Sequence, residues 1–189
     1  MPSIASDLGY LRAAIPILKE FLLSDEVYWS LGAASPSGEP AYPQLTLGGM
    51  LLAQTRLSAR HLEHRIGEDA SRLSAEAERF RLQMRVRWER KASREFGARI
   101  RLWRDFLEEY RSHPGNNRDR YAFEVTRRVM LDLLRPQAGD LPAAQIELLY
   151  GLDKLLRAVF LPSRFIWEAE LAAGFPEASY WYLYGGLRE

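Results

Sequence analysis

The chain has 189 residues, a net charge of +1 and 47% hydrophobic content, which is enough to bury the core of one domain. It has no cysteine, which excludes disulfides, thiolate nucleophiles and Cys-ligated metals. No stretch reaches the roughly 18 uncharged apolar residues that span a bilayer, and Arg12 and Lys19 interrupt the first apolar run where a secretion signal would stay uncharged. The expectation is a cytoplasmic, all-α protein. It forms a single all-helical domain over residues 1–189, a bundle of six to seven helices organised on one long central helix at about 71–112, with two packing sub-units sharing that helix.

Leu8, Leu11, Ile15, Leu18 and Leu22 fall at helical spacing behind Ser6 or Asp7 as a cap. Pro16 should kink this helix near Arg12, because proline removes a backbone donor and crowds the preceding turn. From Gly32, the run with Pro36, Gly38, Pro40 and Pro43 reads as an extended strap anchored by Tyr42. Thr46 is placed to cap a second helix, through Met50, Leu51, Leu57 and Leu62 to about Ile66, and Gly67-Glu68-Asp69 marks a turn. Gly48-Gly49 lacks the preceding strand and the Gly-Lys-Ser/Thr element of a phosphate loop, so it reads as close helix packing.

The stretch from Leu73 to Tyr110 is the organising one. Leu73, Ala77, Phe80 and Met84 form one apolar stripe, and Phe96, Ile100, Trp103, Leu107 and Tyr110 form another. The step of 23 positions from Leu73 to Phe96 rotates the face by roughly 140°, so one straight cylinder of about 57 Å would need partners on two sides. Between the stripes, Arg85 to Glu95 reads as a solvated charged bridge, and a continuous helix is favoured over a bend near Ser93 or Gly97. Residues 79–104 hold ten basic side chains against Glu89 and Glu95, a local excess of +8 that leaves −7 for the rest of the chain. Acidic surfaces elsewhere can answer it.

His113-Pro114-Gly115-Asn116-Asn117 ends that helix. A further helix follows through Ala122, Val125, Val129 and Leu133, and another, capped by Asp140 with Pro142 in its first turn, through Leu148, Leu152, Leu155 and Val159. A shorter one runs from Pro162 and Ser163 to near Gly174. Tyr180 to Tyr184 favours a strand in composition but has nothing to pair with, so no strand is expected.

Catalytic constellations are not evident. His61, His64 and Glu68 lie near one helix face but lack the paired Glu-x-x-His pattern and inward carboxylates of bundle metal sites. Gly-x-Ser-x-Gly is absent. No cofactor is expected. The candidate interaction surface is Arg81, Arg85, Arg87, Trp88, Arg90, Lys91 and Arg94 of the basic segment, with Tyr180, Trp181, Tyr182 and Tyr184 of the aromatic tail. Such rings anchor interfaces or cap a core. The reading is a structural or adaptor protein acting through helix-mediated contacts, as a homo-oligomer or with a protein partner. The runner-up is nucleic-acid backbone binding through residues 79–104, where guanidinium groups would bind phosphates. Because the arginines spread around the cylinder, that reading is not the favoured one. An enzyme without a recognisable motif comes third.

Overall fold

The computed structural model describes residues 2–188 apart from 36 and 39, so Pro36, one of the prolines of the strap, lies outside the described residues. Helix α1, Ile4–Leu23, is capped by Ser3, whose hydroxyl accepts the Ser6 amide. Ser6 and Asp7 instead sit buried in the first turn. The helix runs through Pro16 as one element, with the proline on the solvent side.

The strap after α1 is closed by an antiparallel bridge between Trp29 and Leu45, with both backbone bonds made. The Tyr42 ring meets Tyr10 edge-on at 6.2 Å. A Cβ at Gly9 would lie 2.0 Å from the Tyr42 hydroxyl, so the absence of a side chain there admits the anchor.

Helix α2, Leu47–Ala59, begins as its sequence suggests, with the Thr46 hydroxyl accepting from Gly49 N at 2.9 Å. It ends earlier than expected, because Arg60 leaves helical backbone. Helix α3, His64–Gln83, then takes Gly67, Glu68 and Asp69 into its interior, so these residues do not form a turn.

The expected continuous helix at 71–112 is two helices, α3 and α4, Arg85–Ser112, broken at Met84 (φ −120°, ψ 34°). Ser93 and Gly97 both lie inside α4, and neither interrupts it. The break follows from the rotated stripes. A straight rod would have turned one stripe away from the core, and a single non-helical residue lets both face it. Accordingly Phe80 remains packed against the core, and Trp88 opens the buried face of α4.

Next come the single turn α5, Pro114–Asn117, then α6, Tyr121–Leu134, and α7, Ala143–Val159, flanked by Pro142 rather than capped by Asp140. The expectation of no strand fails, as does the helix from Pro162 to Gly174. β1, Phe160–Pro162, pairs antiparallel with β2, Gly185–Leu187, in register Phe160↔Leu187 and Pro162↔Gly185. A Cβ at Gly185 would lie 2.2 Å from the Leu161 carbonyl, so the pairing depends on that glycine. Between the strands lie a 3-10 turn at Ala169–Gly174, the short α8, Glu177–Tyr180, and a second 3-10 turn at Trp181–Leu183. The start of the segment after β1 gives its backbone bonds to distant partners, Ser163 N to Tyr184 O and Ile166 N to Leu183 O, and local turn bonds such as Leu171 N to Glu168 O begin only further on.

Eight α-helices are thus described with one two-stranded sheet, and the protein is mostly α. Trp103, Phe21, Phe96, Phe106, Phe175 and Tyr182 are the largest fully buried side chains. No described helix is long and apolar enough to cross a membrane.

Candidate interaction surface

Charge inside the fold comes before charge on its surface. The Asp7 carboxylate, 2% exposed, accepts from Arg56 Nε at 2.9 Å and from its terminal nitrogen, and from Arg60 at 3.0 Å. Arg60 in turn reaches Glu170 at 2.6 Å and the Pro2 carbonyl at 3.0 Å. One carboxylate therefore ties the first turn of α1 to the end of α2, and Arg60 carries the tie to the C-terminal segment.

A second cluster sits at the start of α2. Both oxygens of fully buried Glu95 accept from Gly48 N at 3.1 Å, Arg99 Nε donates to Glu95 at 2.5 Å, and Arg99 also donates to the Thr46 hydroxyl at 2.8 Å. Negative charge is favoured at a helix N-terminus, where amides lack partners. A Cβ at Gly48 would lie 2.6 Å from the Glu95 carboxylate, so the glycine is what lets α4 cap α2. Tyr10 stands beside this cluster, bonded to Gln44 O and Thr46 N, and burial pushes its hydroxyl pKa up.

Lys91 is buried on the same face of α4. Its ammonium donates to Ser24 O at 2.8 Å, Ser24 Oγ at 3.1 Å and Glu26 O at 2.5 Å, and lies 4.3 Å from the centre of the Phe21 ring. Lys91 thus closes the carboxyl end of α1. Burial, with the neighbouring Arg94 adding to it, lowers its pKa to about 8.

The predicted surface residues divide accordingly. Arg81 pairs with Glu78, Arg85 with Glu89 and Arg94 with Asp25. Arg87 and Arg90 are exposed and make no ion pair among the described residues. Trp88 is 2% exposed, its indole N–H donating to Gln137 at 3.1 Å. Trp88 and Lys91 are core residues, and the stretch from Arg85 to Glu95 is no bare bridge. The pattern hid this because Lys91 and Glu95 occupy apolar-face positions and find their counter-groups inside.

The aromatic tail packs inward. Tyr182 is fully buried, and Tyr180, Trp181 and Tyr184 are half-buried in a chain of ring contacts through Phe175, Trp167 and Phe165. Arg128 holds Asp153 with two bonds at 2.8 and 2.9 Å and Asp132 at 2.6 Å, and it lies 4.7 Å from the Tyr182 ring centre. Burial opposes the charge on Arg128, but the hydrogen bond to Asp153 and the charge of Asp132 outweigh it and hold its pKa above the ordinary arginine value. Tyr182 donates to Asp132 at 2.6 Å, and burial raises its own pKa.

What sequence reasoning missed is apolar. Leu82 and Val86, on either side of the Met84 break, are 64% and 75% exposed. Their spacing fits no stripe, which was the available signal. Arg79, Arg87 and Arg90 lie on the same stretch without an ion pair among the described residues. His64 and Glu68 stand 3.5 Å apart and largely exposed, and no group of three metal-holding side chains occurs among the described residues.

Two open clefts stand out among the described residues. One of about 420 Å³ lies between α4, α7 and the turn after α1, lined by Ser93, Gly97, Arg101 and Gln145 among others. The other, about 630 Å³, lies under the strap, lined by Ile4, Leu8, Arg12, Tyr42 and Ile66 among others. No histidine lines either of them. No protein-family model, curated protein or solved structure matches the chain.

Proposed function

We propose that the protein is non-catalytic and acts as a structural or adaptor subunit through its helix faces. The observation that carries this reading is the corner between α3 and α4, where exposed Leu82 and Val86 are accompanied by arginines with no ion pair among the described residues. An apolar pair rimmed by arginine has the composition of a protein interface. The corner rests on buried Trp88 and Lys91, so it is presented on a fixed support. The buried carboxylates Asp7 and Glu95 are engaged by guanidinium groups that join helices, which suits a scaffold better than acid or base chemistry.

The runner-up loses support from the ion pairs. Arg81, Arg85, Arg94, Arg99 and Arg104 are answered within the fold. To test both readings, the tagged protein and its Leu82→Asp/Val86→Asp variant are recovered from the source cells, and the mass of the purified protein is measured at low salt with and without a random duplex. The expected result is a set of co-purifying proteins lost with the variant and a mass indifferent to the duplex. Identical co-purification for both forms sinks the adaptor reading. A duplex-bound mass that falls steeply with salt establishes the runner-up.

A further inference from the structure

The outer face of α7 is not covered by the fold. Only Leu149, Leu152 and Leu156 are buried, whereas Ala144, Glu147, Gly151, Lys154, Leu155 and Ala158 are exposed. At about 100° per residue those six positions fall within roughly 100° of one another, opposite the buried leucines. Leu155 and the flanking Tyr150 are 41% and 52% exposed, and nothing lies within 4 Å of where a side chain on Gly151 would project. The two charges of the face, Glu147 and Lys154, make no ion pair among the described residues. They stand two turns apart along the helix, about 10 Å, too far to pair with each other.

Ala144 and Ala158 stand seven positions either side of Gly151, and Glu147 and Lys154, of opposite charge, stand four before it and three after it. A two-fold axis crossing α7 beside Gly151 sets Glu147 opposite Lys154 of a second copy and Lys154 opposite its Glu147, so two free charges make two ion pairs. The same operation brings Ala144 to within one residue of Ala158 of the second copy and Gly151 near its counterpart, which lets the helix axes approach to about 8 Å, the close end of helix packing. Parallel alignment would instead set glutamate on glutamate and lysine on lysine. Two-fold pairing of this kind is the commonest route to a closed oligomer.

We propose that α7 is the dimerisation face of this protein, pairing antiparallel with α7 of a second copy through reciprocal Glu147–Lys154 contacts. The proposal rests on the reading of the chain as one that works through helix faces, and it fixes which face self-associates. It leaves the α3–α4 corner for a different partner.

The test is the sedimentation-equilibrium mass of the full chain against concentration, for the natural sequence, E147K, K154E, the double variant E147K/K154E, and an equal mixture of the two single variants. All substitutions are on exposed positions of the helix surface and are expected to leave the fold intact. A dimer is expected for the natural chain, weakened about tenfold or more in each single variant, where like charges meet. It should recover in the double variant and in the mixture, where E147K pairs with K154E. A natural dimer unaffected by the single variants, or a double variant that does not recover, overturns the α7 face and leaves self-association standing. A natural chain that is monomeric at every concentration overturns the dimer itself, while co-purification at the α3–α4 corner still decides the adaptor reading.

Discussion

Where α1 meets α2, buried carboxylates face guanidinium groups directly, Asp7 against Arg56 and Arg60, and beside them Glu95 against Arg99. Where the C-terminal segment meets α6, aromatic rings fill the space, and Arg128 is the one buried cation of the cluster, shared between Asp153, Asp132 and the Tyr182 ring. The difference follows the kind of chain being held. α1, α2 and α4 satisfy their own backbones, and the ions act at their ends, where amides and carbonyls are short of partners. The segment after β1 has little regular structure, and rings such as Tyr182 and Tyr184 supply both burial and a hydroxyl that completes the polar bonding, Tyr184 to Phe175 O and Tyr182 to Asp132.

The sharpest way to break this comparison is to remove the central carboxylate of the first cluster. Asp7→Asn leaves Arg56 buried without its counter-charge and Arg60 with Glu170 alone, and is expected to destabilise the fold by about 3–5 kcal/mol, measured by urea denaturation. A loss below about 1 kcal/mol, the range of surface pairs, would mean that the ions do not hold α1 to α2. In the second cluster, Tyr182→Phe keeps the ring and removes the bond to Asp132. About 1.5–3 kcal/mol is expected, as for a hydrogen bond to a charged group. A larger loss than that of Asp7→Asn would reverse the contrast, making polar bonding the stronger element of the ring cluster.

The smallest effect concerns Lys91, which belongs to the first region but sits over a ring, Phe21. Its pKa in the fold is about 8, below the roughly 10.4 of an unfolded chain. Between those values the unfolded state binds the extra proton, so this group disfavours folding at lower pH and its cost is relieved as pH rises through the window. Relative to Lys91→Met, the natural protein should therefore gain stability between about pH 8 and pH 10, in paired denaturation curves. Equal slopes for the two proteins would show that the carbonyls of Ser24 and Glu26 fully replace water around the ammonium.

The helical class was legible because apolar stripes at helical spacing are long and repeated, as at Leu8 to Leu22 and Phe96 to Tyr110. The Thr46 cap was legible as a local bond between neighbours in sequence. What escaped was non-local. Asp7 looked like a cap, because its true partners are Arg56 and Arg60, 49 and 53 positions away. Lys91 and Glu95 looked solvated for the same reason, and that made a buried face look bare. The break at Met84 was implied by the roughly 140° rotation between the stripes, but rotation alone does not say which residue will leave the helix. β1 and β2 are three residues each, too short for an alternating pattern to register. Of the proposed interaction surface, the exposed arginines were visible as charge. Leu82, Val86 and the outer face of α7 became visible only once burial separated them from the core.

The C-terminal segment binds residues far behind it in the chain. Glu170 answers Arg60 across 110 positions, Arg188 O answers Tyr110 across 78 and Tyr182 O answers Tyr121 across 61. During synthesis the chain emerges from its amino end, so α1, α2 and α4 can form their ion clusters while the rings of 160–188 are still unmade. Until then Tyr121 and the far side of Arg60 have only water. Synthesis therefore delivers the residues of the ionic half before those of the aromatic half, whose closing bonds to Arg60, Tyr110 and Tyr121 wait for residues 160–188.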